Sequence, residues 1–338
     1  MNIKQIAKAA GVSVATVSRV LNHPEHVAPK TKEKIQKIIE EAEYKPNWFA
    51  RGLNFNETKT IGLLIPNMLN TMYMEIAKGV EDVAKRKGYV VFMCNSEKSV
   101  DMEKNYIEHM LTRCVDGLIL MFSSLDAAYI KSVEDQNVPI VTIGRNKGVS
   151  GFNTVCVDSE EGAKVIVRQL AENGHRSIGI VHGNDPEKAA EYMLDGYKQM
   201  MKVCGLAVEE RYIKPADNTI EGGYLGAKKM IAEGPPDAIF ATSDEIAYGV
   251  MDAIKDSGLS IPQDIAVAGF GNLRMSNLVE PKLTTMEVPF HKMGVYGARL
   301  LFDLIEGDEN DKTREIVLQT KLRIRKSCGH KERIGEMF

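Results

Sequence analysis

I-K-Q-I-A-K-A-A-G-V-S-V-A-T-V-S-R-V-L-N, from Ile3 to Asn22, reads as two short helices broken by one glycine. Ile3, Ile6, Ala7 and Ala10 recur at helical spacing and mark the buried face of the first helix. Gly11 stands where a sharp reversal favours a residue that tolerates positive φ. Ser13 is placed to cap a second helix over Val14–Leu21, whose Val17, Val20 and Leu21 face inward. A third helix is expected from about Pro29 to Glu43, opened by a proline whose missing N–H costs little there. Two helices joined by so tight a turn suit a reading head that lays its second helix in the major groove of DNA. Val14 and Ala15 open that helix away from Val17 and Val20, where they can meet thymine methyls. Arg19 can fork onto guanine O6 and N7.

Charge supports a head that touches phosphate. The chain carries −3 in total, yet its first 59 residues hold ten Lys and Arg against six Asp and Glu, or +4, which leaves −7 on the remainder. A basic head on an acidic body puts one end on nucleic acid. Working outward, Y-K-P-N-W-F-A-R-G-L runs from Tyr44 to Leu53, with a candidate helix over Asn47–Asn54. So short a helix falls below the roughly 12–15 residues that hold in water. Gly52 weakens it by about 1 kcal/mol more relative to Ala. It is expected to be disordered by itself, ahead of a polar linker from Asn56 to Lys59.

From Thr60 the pattern changes to strands alternating with helices. Apolar runs begin at Thr60 (T-I-G-L-L-I-P), Tyr89, Asp116 and Pro139, and a second set begins at Ser177, Asp237 and Asp264. Amphipathic helices lie between them, among them Met74–Lys87, Glu160–Asn173 and Asp244–Ser257. Continuous apolar strands joined by helices predict parallel sheets covered on both faces. Two sets predict two doubly wound lobes, with a ligand cleft at the carboxyl ends of the strands. The fold class is therefore α/β, with a three-helix head and a hinge ahead of the lobes.

Other classes are disfavoured. No apolar run approaches the roughly 18 residues of a membrane span, and the start shows no signal-peptide core, so a cytoplasmic protein is expected. The five cysteines lack C-x-x-C spacing and read as buried thiols. The seven histidines show no metal-ligand spacing. There is no phosphate-cradling G-x-x-x-x-G-K-[ST] loop, no G-x-S-x-G elbow and no G-x-G-x-x-G after a strand. Neither an enzyme nor a cofactor is expected.

A-G-V-S-V-A-T-V-S-R-V-L-N, Y-K-P-N-W-F-A-R-G-L, G-H-R-S-I-G, S-D-E-I-A-Y-G-V-M and P-K-L-T-T-M follow one another in the order found in the lac repressor/galactose repressor family of bacterial transcription regulators. The chain resembles that family from Ile3 to about Ser327. The resemblance implies a two-lobed core like that of periplasmic binding proteins. It also implies a homodimer on palindromic, double-stranded operator DNA, acting as a repressor under a small-molecule effector such as a sugar or a derivative. The implied domains are a head over residues 1–46, a hinge and linker over 47–59, a core over 60–328 and a tail over 329–338. Lobe one takes about 60–158 plus 289–316, and lobe two about 159–288 plus 317–328. The tail lacks leucine heptads, so a dimer rather than a tetramer is expected.

Residue by residue, the resemblance places Val14, Ala15, Thr16, Ser18, Arg19, Asn22, His26, Asn47, Ala50 and Leu53 on DNA. Thr16, Ser18, Asn22 and His26 match phosphate-holding positions, and Leu53 matches a wedge that enters the minor groove and kinks the site. Met72, Tyr73, Phe122, Arg145, Asp158, Met193, Asn218, Ser243, Asp244 and Gly271 fall around the effector cleft. Asp244 also reads as the N-cap of the helix it opens. Three positions depart from the family pattern. Met193 replaces the arginine of R-x-x-G-[FY], Gly271 replaces the aspartate of G-[FY]-D, and Gly144 stands where an aspartate is common. Losing an arginine fork and two carboxylates argues against an ordinary hexose. The likeness of several segments to the family's catabolite control subgroup leaves open a protein co-regulator of the phosphocarrier kind.

Overall fold

The computed structural model describes residues 1–22, 26–42, 58–144, 151–184, 189–307 and 313–329, apart from the side chains at 22 and 189. The chain forms two compact units, Met1–Thr58 and Lys59–Phe338. In the first, α1 (Ile3–Ala10), α2 (Val14–Asn22) and α3 (Pro29–Glu41) enclose a small core. Asn2 caps α1 reciprocally with Gln5: the Gln5 N–H donates to Asn2 Oδ1 at 3.0 Å, and the Asn2 N–H donates to Gln5 Oε1 at 2.8 Å. Gly11 ends the helix at φ 68°, as the tight turn required. Ser13 Oγ accepts from the Thr16 N–H at 3.1 Å and starts α2. Ile6, Val17 and Ile35 are fully buried, with Ala7, Ala10 and Val20 beside them. The candidate hinge, including Trp48, lies outside the described residues.

The second unit holds two six-stranded sheets. The first comprises β1 (Thr60–Ile65), β2 (Val90–Asn95), β3 (Gly117–Met121), β4 (Ile140–Ile143), β5 (Thr154–Val157) and β11 (Glu315–Leu318). Its order is β11-β5-β4-β3-β1-β2, parallel throughout. The second comprises β6 (Ile178–Gly183), β7 (Ile213–Ala216), β8 (Ala238–Ala241), β9 (Ala266–Gly271), β10 (Thr284–Glu287) and β12 (Lys321–Arg323). Its order is β12-β10-β9-β8-β6-β7, with β12 alone antiparallel. The chain therefore crosses between sheets three times: after β5, after β10 and after β11.

Helices α4 (Thr71–Arg86), α5 (Val100–Thr112), α6 (Ala127–Glu134), α7 (Ser159–Glu172), α8 (Ala189–Val203), α9 (Ile220–Ala232), α10 (Asp244–Asp256) and α11 (Phe290–Ile305) connect the strands. Burial on both faces explains the unbroken apolar runs of β1, β3, β8 and β9. The sheet edge at β2 departs from that expectation, because Val90, Phe92 and Met93 are 58, 45 and 44% exposed. The thiols also depart from it: Cys156 and Cys328 are buried, Cys94 and Cys204 are half-buried, and Cys114 is exposed. No helix among the described residues is long and apolar enough to cross a membrane.

Candidate functional site

In the head, α2 divides by periodicity into two faces. Val17 and Val20 are sealed in the core, while Val14, 40% exposed, projects outward with Ala15 and Arg19. An aliphatic residue, a methyl and a guanidinium thus share the outer face, with the chemistry to meet base edges. Thr16 and Ser18 are half-buried, and the Thr16 hydroxyl is within 2.9 Å of Ser13 Oγ. His26 is exposed at the head of the following turn. The backbone of Asn22 closes α2; its side chain lies outside the described residues, as do Asn47, Ala50 and Leu53.

In the second unit a cavity of about 900 Å³, counting the space open to solvent, lies at the carboxyl ends of strands from both sheets. Met72 and Tyr73 come from the start of α4, Phe122 and Gly144 from the ends of β3 and β4, and Val157, Ser159 and Glu160 from the β5–α7 turn. Gly183, Ala190, Tyr192 and Met193 follow from β6 and α8, and Asn218, Thr242 and Ser243 from the ends of β7 and β8. Phe270, Val288, Phe290 and Met293 complete the wall. This is where parallel α/β sheets place their ligands.

Local geometry orders the wall. Tyr73 and Phe122 meet edge to face with ring centroids 5.7 Å apart. Phe122 holds φ 43°, and its ring occupies the space a side chain at Gly144 would need. Gly144 itself sits at φ 97°, a region L side chains rarely adopt. Behind the Phe122 turn, Glu103 is buried in α5 and accepts the Ser123 hydroxyl and, at 3.3 Å, the Ser124 N–H. Burial pushes its carboxyl above the ordinary 4.5, against those two hydrogen bonds.

The polar groups are few and largely engaged. Glu160 Oε1 accepts from Lys164 Nζ at 2.7 Å and from Gln199 Nε2 at 2.9 Å. Thr242 Oγ1 accepts from the Gly183 N–H at 2.9 Å. Ser243 Oγ accepts from the Ile246 N–H at 3.2 Å, capping α10, and donates to Asn218 Oδ1 at 2.5 Å. Ser243, not Asp244, is therefore the cap of that helix. Asp244 is fully buried and lies outside the cavity lining. Its carboxylate accepts from Leu273 N–H at 2.7 Å, Ser276 Oγ at 2.6 Å and Thr285 Oγ1 at 2.5 Å. Because Ser276 spends its proton on Asp244, the Tyr248 hydroxyl donates to Ser276, 2.9 Å away.

Six of the residues expected around the cleft therefore meet at one cavity: Met72, Tyr73, Phe122, Met193, Asn218 and Ser243. Asp158 caps α7 by accepting from the Glu161 N–H at 3.0 Å and, like Gly271 at φ 139°, is outside the lining. Arg145 lies outside the described residues. Sequence reasoning missed Tyr192, Phe270, Phe290 and Met293. Phe270 had a signal, since it ends an apolar strand. Phe290 and Met293 had none, because only the second crossing returns α11 to this cavity. Among the described residues no cluster of His, Cys, Asp or Glu is arranged to hold a metal ion.

Residues 2–47 match the lacI family of bacterial regulatory proteins, and residues 167–328 match the periplasmic binding protein-like domain. Catabolite control protein A of Priestia megaterium is 35% identical over 304 residues, covering 89% of this chain and 91% of that protein. The HTH-type transcriptional repressor PurR of Vibrio campbellii is 32% identical over 326 residues, covering 96% of this chain and 97% of that protein. The lac repressor dimer bound to operator and the anti-inducer ONPF superposes with a TM-score of 0.86 at 27% identity, covering 97% of this chain and 99% of that one.

Proposed function

The chain belongs to the lacI family of bacterial regulatory proteins, and we propose that it is a cytoplasmic repressor that binds a palindromic operator as a homodimer. The carrying observation is the outer face of α2, where Val14, Ala15 and Arg19 stand opposite the buried Val17 and Val20. Each copy lays that face in one major groove, reading bases with these three residues and holding phosphates through Thr16, Ser18, Asn22 and His26. Asn47, Ala50 and Leu53 act at the centre of the site, where Leu53 wedges the minor groove open.

Dimerisation is supported by exposed apolar residues on both lobes. Phe92 and Met93 lie on the β2 edge, and Leu225 and Leu278, 67 and 81% exposed, lie on the second lobe. They offer a second copy apolar surface to cover. The cavity between the sheets is the effector site. A small molecule that fits one lobe orientation better shifts the dimer toward it, and so changes operator affinity. Control by a protein co-regulator is the second reading, favoured by the 35% identity to a catabolite control protein.

The test is selection of random duplexes and genomic fragments by the purified chain. An enriched palindrome with a deformable centre supports the reading. No enrichment for the chain alone, with enrichment once a phosphocarrier protein is added, moves control to the second reading.

A further inference from the structure

We infer that the cleft takes an uncharged, largely apolar ring compound that presents one hydrogen-bond acceptor to Asn218. This deepens the reading of the cavity as the effector site and rests on it.

The walls set the class. Rings of Phe122, Tyr192, Phe270 and Phe290 and the thioethers of Met72 and Met293 face the same space. Flat, polarizable surfaces of this kind suit a ring that stacks edge or face against them.

Charge narrows it further. Among the described residues no Lys or Arg lines the cavity. Of the helices whose first turns open on it, α7, α8 and α10 carry Glu160 and Glu161, Glu191, and Asp244 and Glu245 there, while α4 and α11 carry no acid. Those carboxylates occupy the positive ends of the helix dipoles and repel a bound anion. The one lining carboxylate, Glu160, is bonded to both Lys164 and Gln199, so a cation gains little by approaching it.

Hydrogen bonding sets the last requirement. Ser243 accepts from the Ile246 N–H and spends its one proton on Asn218, so it has no proton left to donate to a ligand. That bond fixes the Asn218 carboxamide with its oxygen toward Ser243. Its N–H groups have no partner among the described residues. A ligand hydroxylated all round would leave several groups unpaired against carbon, whereas a single carbonyl on Asn218 satisfies both sides.

Equilibrium binding of the full chain to coumarin, naphthalene, glucose, glucose 6-phosphate and phenyltrimethylammonium tests this. Coumarin is expected to bind once per chain with a dissociation constant of about 100 μM or tighter. Naphthalene, lacking the acceptor, is expected to bind about tenfold more weakly, and Asn218→Ala should erase that difference. Met193→Arg, which drives a cation into the wall, should abolish coumarin binding; if it does not fold, Asn218→Ala decides alone. The inference is overturned if glucose, glucose 6-phosphate or phenyltrimethylammonium binds tighter than coumarin, if coumarin ignores Asn218→Ala, or if nothing binds. Duplex retention by the same preparation separates the two readings. A chain that holds its selected duplex but ignores coumarin overturns this inference alone. A chain that binds coumarin but retains no duplex, with or without a phosphocarrier protein, overturns the proposed function alone.

Discussion

Gly79 and Gly294 face one another where α4 and α11 cross, each backed by the other helix's backbone where a Cβ would stand. The His291 carbonyl lies over Gly79 and the Ile76 carbonyl over Gly294. The contact joins a helix from the start of the first lobe to one that arrives only after the second crossing. It also holds Met72 and Tyr73 beside Phe290 and Met293 in the cavity wall.

Gly294→Ala should therefore destabilise the protein. Alanine gains about 1 kcal/mol of helix propensity over glycine. Forcing a methyl into a rigid backbone contact costs about 1–3 kcal/mol and displaces the helices. A lower melting temperature is expected, with a further loss when Gly79→Ala is added. An unchanged or higher melting temperature would show that the crossing is loose.

Asp244→Asn tests the buried network behind the cavity. Both carboxylate oxygens accept hydrogen bonds, so an amide must turn its own N–H groups toward a donor. A loss of roughly 3 kcal/mol is expected, read as a fall in the urea midpoint. Full stability in this variant would mean the site rearranges without cost.

Glu103→Gln tests the support beneath Phe122. Burial raises the Glu103 carboxyl above 4.5, so its contribution to stability is present below about that value and is lost as pH rises through the folded-state value. The wild type should therefore lose ground to Glu103→Gln as pH climbs from 4 toward neutrality, in melts taken at each pH. A difference independent of pH would contradict the assignment.

Arg19→Met should relax base preference at one position of each half-site and cost about 1–3 kcal/mol on the selected duplex. Random DNA should be bound nearly as before, because phosphate contacts remain. Equal losses on both would place Arg19 on phosphate instead.

Phe92→Glu puts a charge on the apolar β2 edge. Sedimentation at micromolar concentration should show a monomer for the variant and the proposed dimer for the wild type. A surviving dimer would remove this edge from the interface.

Much of the fold is legible in the amino-acid sequence. Ile6, Ala7, Ala10, Val17 and Val20 announce the head because they recur at helical spacing and so fall on the faces the helices bury. Unbroken runs such as T-I-G-L-L-I-P announce parallel strands because both faces are covered. Short elements such as β5, β7, β10, β11 and β12 were not legible, since three or four residues without a continuous apolar run carry no periodicity and are fixed only by a distant neighbour.

From sequence alone came the three-helix head and the two sets of strands and helices, because local patterns act over a few turns of chain, while the family resemblance supplied six of the cavity's residues. The tertiary structure decided what those patterns could not. It closed the Phe122 ring over Gly144, brought Phe290 and Met293 back from the far side of the chain, and bonded Ser243 to Asn218. It also buried Asp244 among donors behind the cavity. Each of these depends on which distant backbones meet, and that is settled by packing whole helices and sheets together, not by any residue's neighbours in sequence.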